Sequence, residues 1–185
     1  NMPPRHTKSE FASFLFPAWF LGRYPDKKVI QTAHTAELAV GFGRKVRNLI
    51  QSEDYQKVFQ GIELSTDSKA AGRWNTNKRG DYFAIGVGGA VTGKGADILI
   101  IDDPHSEQEA QLGQYNPDVY DKVYEWFTSG PRQRLQPGGA IILVMTRWSK
   151  RDLTGQLLKV MQEREGADEW ELIQLPAIMP SGNPL

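Results

Sequence analysis

The chain has 185 residues, 39% hydrophobic and 24% charged, with 22 acidic residues balancing 22 basic ones and no cysteine. That length suits one domain with a full-sized core, and zero net charge removes any whole-molecule field that would attract a polyanion, so a nucleic-acid contact must be local. The missing cysteines exclude disulfide frameworks and thiolate sites, and no apolar run nears the roughly 20 residues of a membrane-spanning helix.

The N-terminal stretch PPRHTKSE places a lysine and a hydroxyl, Lys8 and Ser9, beside the start of a helical pattern. Phe11, Phe14, Leu15 and Ala18 fall at helical spacing, and Pro17 should bend or shorten that helix. KKVIQTAH reads as a short buried strand. TAELAVGFGRKVRNLIQ follows as an amphipathic helix with Ala39, Phe42, Val46 and Leu49 on one face, interrupted by Gly41 and Gly43. Residues 61–80 are polar and read as a loop. DYFAIGVGG is a strand pattern ending in glycines, TGKGAD a turn, and ILII the most apolar strand, stopped by DDPH.

A helix is expected over 118–127, with Val119, Val123, Trp126 and Phe127 on one side. RLQPGGAIILVMTRW reads as a turn feeding another buried strand. RDLTGQLLKVMQER reads as a helix aligning Leu153, Leu157, Leu158 and Met161, and WELIQLPAI as a last strand. Apolar strands alternating with amphipathic helices predict an α/β fold, a mostly parallel sheet with helices on both faces. Only Asn1 and Met2 precede PPRHTKS, so the strand that normally feeds a phosphate loop is missing, and the start at Asn reads as a fragment of an intracellular protein. His6, His34 and His105 lack the spacing of a zinc site.

Two stretches carry chemistry. In a Walker A loop, G-x-x-x-x-G-K-[ST], glycines let backbone N–H groups close on phosphate, the lysine reaches the outer phosphates and the hydroxyl holds magnesium. Here Lys8 and Ser9 match, while Met2 and Thr7 stand at the glycine positions. Thr7 is the serious departure, because a β-branched residue resists positive φ. A basic tail at a helix start is the competing reading. The run ILIIDD looks like a Walker B strand, in which Asp102 would orient magnesium and Asp103 polarise the attacking water; its competitor is a plain Asp-Pro turn. The two motifs agree in order and context, which favours a nucleotide site built by Pro4, Arg5, His6, Thr7, Lys8, Ser9 and Glu10 against Asp102 and Asp103. Thr146, closing the strand AIILVMT, could sense a γ-phosphate; it could equally be a simple strand end.

Together, PPRHTKSE, VGGAVTGKGADILIIDDP and ILVMTRW resemble the large terminase subunit of tailed bacteriophages, the ATPase that drives double-stranded DNA into a preformed capsid. The resemblance implies an additional-strand (ASCE) P-loop NTPase fold, magnesium-dependent ATP hydrolysis, a homo-oligomeric ring on the portal protein, a small terminase subunit as partner, and the bacterial host cytoplasm as location. It implies Lys8 and Ser9 as the Walker A pair, Arg5 as the arginine inside the loop, Asp102 as the magnesium carboxylate and Thr146 as the coupling residue. Asp103 stands where many members have glutamate, and Lys94 lies near where the family supplies a basic residue to the neighbouring ATP. Residues 1–185 would be the N-terminal ATPase domain, with the nuclease domain outside them.

Two rival expectations remain. One is a helicase-type P-loop motor that shares both motifs; the other is a non-hydrolysing nucleotide-binding or scaffold fragment, prompted by Thr7 and the missing strand. For DNA gripping the candidates are Lys78, Arg79, Arg44 and Arg47, whose ordinary alternative is a solvated basic face.

Overall fold

The computed structural model describes residues 6–91, 93 and 95–174. Its strands are β1 (Lys28–Ala33), β2 (Leu64–Ala70), β3 (Arg73–Thr76), β4 (Asp81–Gly86), β5 (Ala96–Asp102) and β6 (Leu135–Val144). They form one sheet in the order β2-β3-β4-β1-β5-β6. β4, β1, β5 and β6 run parallel, whereas β2 and β3 add on as antiparallel strands. The sheet is therefore mixed, parallel where the carboxylates lie.

Successive strand residues point to opposite faces, and the central strands use this to build two cores. Val29 and Ala33 of β1, with Ile98 and Ile100 of β5, pack toward helices α1 (Phe16–Arg23) and α2 (Ala36–Ile50). Ile30, Leu99 and Ile101 face the other way, toward α5 (Asp118–Ser129) and α6 (Leu153–Glu163). Two short helices, α3 (Glu53–Val58) and α4 (Glu107–Leu112), complete the set. Helices thus cover both faces, as the alternating sequence pattern predicts. Among the described residues no helix is long and apolar enough to cross a membrane.

Four local expectations are corrected. Residues 61–80 are not a loop but contain the β2–β3 hairpin, whose apolar positions are sparse yet buried: Leu64, Trp74 and the hydroxyl-bearing Thr76. Trp74 stacks on Tyr82 of β4 at 4.6 Å between centroids and donates its indole N–H to Gly43 O. The α2 face that is buried is Ala39, Gly43, Val46 and Ile50, rotated from the expected stripe because α2 approaches the hairpin through a glycine. A Cβ on Gly43 would lie 2.6 Å from the Ala71 carbonyl oxygen, so only glycine permits that approach.

The expected N-terminal helix opens as a π-helical turn, Glu10–Leu15, before α1 begins. Pro17 lies in the first turn of α1, where its missing N–H matters least, and the widened turn relieves the clash its ring would make with the Ser13 carbonyl. In consequence Phe11 and Leu15 are exposed, while Ser13 is fully buried. Finally, residues 170–174 of the expected last strand form no strand. β6 is the last strand on its side of the described sheet, and a groove of about 1040 Å³ lies between it and the segment 168–173. Leu172 and Ile173 of that segment are exposed.

Among the described residues no strand precedes Lys8.

Candidate functional site

Parallel β5 and β6 end side by side, with Asp102 in register with Val144, so the residues that follow each strand meet at one rim. The rim residues are Asp102 and Asp103 from β5 and Thr146 just beyond β6. The helix turn that begins at Lys8 is brought over the same rim by the packing of Ala18 and Leu21 of α1 into the core. This is the carboxyl end of a parallel sheet, where such folds place ligands.

The contacts are direct. Lys8 Nζ donates to Thr146 Oγ1 at 3.2 Å across 138 positions of sequence and lies 3.6 Å from Asp103 Oδ2. The Thr146 backbone N–H donates to Asp103 Oδ1 at 3.0 Å, and the Asp103 N–H donates to Val144 O at 2.8 Å. Ser9 Oγ donates to Asp102 Oδ1 at 3.0 Å and Ser13 Oγ to Asp102 Oδ2 at 2.6 Å. One loop lysine, two serines, two carboxylates and one threonine therefore form a single cluster.

Burial separates the two acids. Asp102 is buried and Asp103 half-exposed, its side chain 43% accessible. Desolvation raises the Asp102 pKa above its ordinary value and the Asp103 charge adds to that, while the Ser13 and Ser9 hydroxyls and the Lys8 charge oppose it. Lys8 itself is only 11% accessible, so its charge meets its neighbours through little water.

The backbone is strained at both partners. Thr7 has φ 62° and Asp103 φ 42°. Left-handed backbone costs an L-residue roughly 1–2 kcal/mol, less for Asp, whose short side chain tolerates that region. At Thr7 the loop adopts the conformation that the glycine of a phosphate loop would supply freely. At Asp103 it turns the carboxylate out of the strand toward Lys8.

Oxygen donors of this kind suit a hard cation. Among the described residues no group of three or more His, Cys, Asp or Glu side chains could hold a metal by itself. Magnesium asks for less, taking one or two carboxylates and completing its shell with waters and substrate phosphates. The paired Asp102 carboxylate and Ser9 hydroxyl, 3.0 Å apart, fit that demand.

Beyond Thr146 a second node holds the chain. Asp152 is fully buried and accepts from Arg147 Nε, at 3.1 and 2.9 Å to its two oxygens, and from the backbone N–H groups of Trp148, Ser149 and Gly155. It caps α6 and fixes the loop that carries Thr146.

Glu10 pairs with Lys45 of α2 at 3.5 Å. His6 precedes the turn, and its carbonyl accepts from Thr7 Oγ1. Pro4, Arg5 and Lys94 lie outside the described residues. Lys78 and Arg79 sit on the turn that enters β4, at the opposite end of the sheet from Asp103. Arg44 and Arg47 are on α2.

No family model matches the chain, and neither does any curated protein sequence. Among solved structures it is similar to the crystal structure of the HK97 bacteriophage large terminase, with a TM-score of 0.51 at 13% identity over 89% of this chain. The fold is terminase-like. The chain spans about a third, 33%, of the length of that terminase. At this identity the terminase-like likeness speaks for the fold, and the chemistry rests on the residues themselves.

Two participants escaped the motif reading, Ser13 and Gln31. Ser13 is a lone polar residue in the apolar run FASFLF, Gln31 stands beside Thr32 in KVIQTA, and both Ser13 and Gln31 are fully buried. That signal was available without a motif, because a buried polar side chain must find a partner.

Proposed function

We propose that this chain is the ATP-hydrolysing part of a viral DNA-packaging motor, an additional-strand P-loop ATPase of the large-terminase kind. The observation that carries the reading is the convergence of Lys8 with Asp103 and Thr146, supported by the terminase-like fold. On this reading residues 1–185 are the ATPase domain of a longer enzyme whose nuclease lies elsewhere.

Each residue has a task that its surroundings suit. Lys8, now balanced by Asp103 and Thr146, would turn its ammonium to the outer phosphates of ATP. Asp102 and Ser9 would hold magnesium, which when bound neutralises phosphate charge. Asp103, half-exposed and fixed through Oδ1 by the Thr146 N–H, would have its other oxygen released by Lys8 as the ammonium turns to the phosphates, and so able to orient a water for in-line attack. Arg5 and Lys94 are proposed as further cations for the phosphates, Lys94 across the ring.

Coupling follows from the same bonds. Asp103 is tied to the backbone of Thr146, and the next few residues are tied to Asp152 at the start of α6. A change in phosphate state that moves Lys8 or Asp103 would therefore be felt by the 146–152 loop and α6. The proposed partners are double-stranded DNA, gripped through phosphates in a salt-sensitive way, a portal protein, a small terminase subunit and further copies in a ring, in the cytoplasm of the bacterial host.

The test is ATP turnover with blunt duplex DNA. Magnesium-dependent hydrolysis that Lys8→Ala abolishes, without strand separation, is the expected result. Strand separation would make the protein a helicase-type motor. Absence of turnover, with Lys8→Ala identical to the parent, would leave a scaffold.

A further inference from the structure

Ser13 occupies an unusual place. It lies four residues beyond Ser9 within the π-helical turn Glu10–Leu15, fully buried and facing β5. Side chains four residues apart project from the same side of a helical turn. The turn thus places two hydroxyls against one carboxylate, Ser9 on Asp102 Oδ1 at 3.0 Å and Ser13 on Oδ2 at 2.6 Å.

The direction of the Ser13 proton is set from behind. Gln31, fully buried on β1, donates from Nε2 to Ser13 Oγ at 3.2 Å and to Thr32 O at 3.3 Å. A hydroxyl that accepts from an amide has its single proton left to donate, and the remaining acceptor in reach is Asp102 Oδ2. Gln31, Ser13 and Asp102 form a one-way chain running from the central strand to the rim.

Resting on the magnesium site of the proposed function, we infer that Ser13, oriented by Gln31, is a positioning residue for that site. It occupies Asp102 Oδ2 and so presents Oδ1, beside the Ser9 hydroxyl, as the oxygen left for the cation. Ser13 would act on the cation through Asp102 and not by direct contact. Partners in this outer position typically govern metal affinity by 10–100-fold.

The test uses manganese as the probe, its binding followed by electron paramagnetic resonance on the protein with and without ATP. Ser13→Ala should weaken manganese binding by about tenfold or more. It should raise the magnesium concentration needed for half-maximal turnover similarly, while KM for ATP at saturating magnesium stays within about twofold. Ser13→Thr, which restores a hydroxyl, should recover most of the affinity. Gln31→Leu leaves that hydroxyl but frees its proton, and should weaken manganese in the same direction by less. It carries the test if Ser13→Ala does not fold. Parent-like manganese affinity in Ser13→Ala or, failing its folding, in Gln31→Leu overturns the inference and leaves the ATPase reading standing. Manganese binding by the parent that Asp102→Asn does not weaken overturns both.

Discussion

The Lys8 ammonium lies 3.6 Å from the Asp103 carboxylate, joining the start of the first helix to the end of a central strand. Nothing in local sequence requires that pairing, since either residue on a surface would be solvated. It arises because the helix that begins at Lys8 packs on the face of the sheet whose carboxyl end carries Asp103.

Asp103→Asn should retain ATP binding and lose turnover by a factor of about 100 or more, because the amide keeps an acceptor for the Thr146 N–H but no longer draws a proton from water. Single-turnover hydrolysis beside equilibrium ATP binding checks it. Parent-like rates would move the water-orienting role to another residue.

Thr7→Gly should stabilise the fold. Among the described residues the exposed Thr7 side chain bonds only its neighbour's carbonyl, His6 O, so its removal forfeits little packing. Relief of the φ 62° backbone, worth roughly 1–2 kcal/mol, should outweigh the added chain entropy of glycine, giving a net gain of about 0.5–1 kcal/mol. Urea denaturation measures the gain, and nucleotide binding should tighten with it. A lower midpoint together with weaker nucleotide binding would show that the turn prefers threonine.

His105 makes stability depend on pH. It is buried, accepts the Leu153 N–H at Nε2 and stacks edgewise on Tyr120. Desolvation lowers its pKa below the ordinary 6.5, against the opposing charges of Asp152 and Glu109. The unfolded chain then binds the proton more readily, so the stabilisation present above pH 6.5 is lost as pH falls through the lowered folded value. Asp102, raised in the fold, contributes with the opposite sign in every variant and cancels in comparison. Melting temperatures of the parent should fall more steeply than those of His105→Gln between about pH 7 and 5.5. Equal slopes would remove His105 from the account.

Much of this architecture was legible in the residues. VIQTA, DYFAIG and ILIID are strands because continuous apolar runs of that length bury on both faces, and the helices at 36–50, 118–129 and 153–163 follow from amphipathic spacing. The β2–β3 hairpin hid because its apolar positions are few and a single indole, Trp74, does much of its packing. Helix α4 is short, and its sequence signal is the capping box of Ser106 and Glu109. At the site, Lys8, Ser9, Asp102, Asp103 and Thr146 came from motif order. Ser13 and Gln31 did not, because their partnership joins a helical turn to a strand 18 positions away and belongs to no motif. Of the expected last strand, the described residues 170–174 form no strand.

The central claim is that the Lys8 turn and the β5 end hold one triphosphate between them. Calorimetric titration with magnesium and a slowly hydrolysed ATP analogue tests it most directly, on the parent, Lys8→Ala, Asp102→Asn and the double variant. The account predicts one site per chain, weakened roughly tenfold or more by each single change, with the double change costing less than the sum. Parent-like binding in both single variants would contradict it.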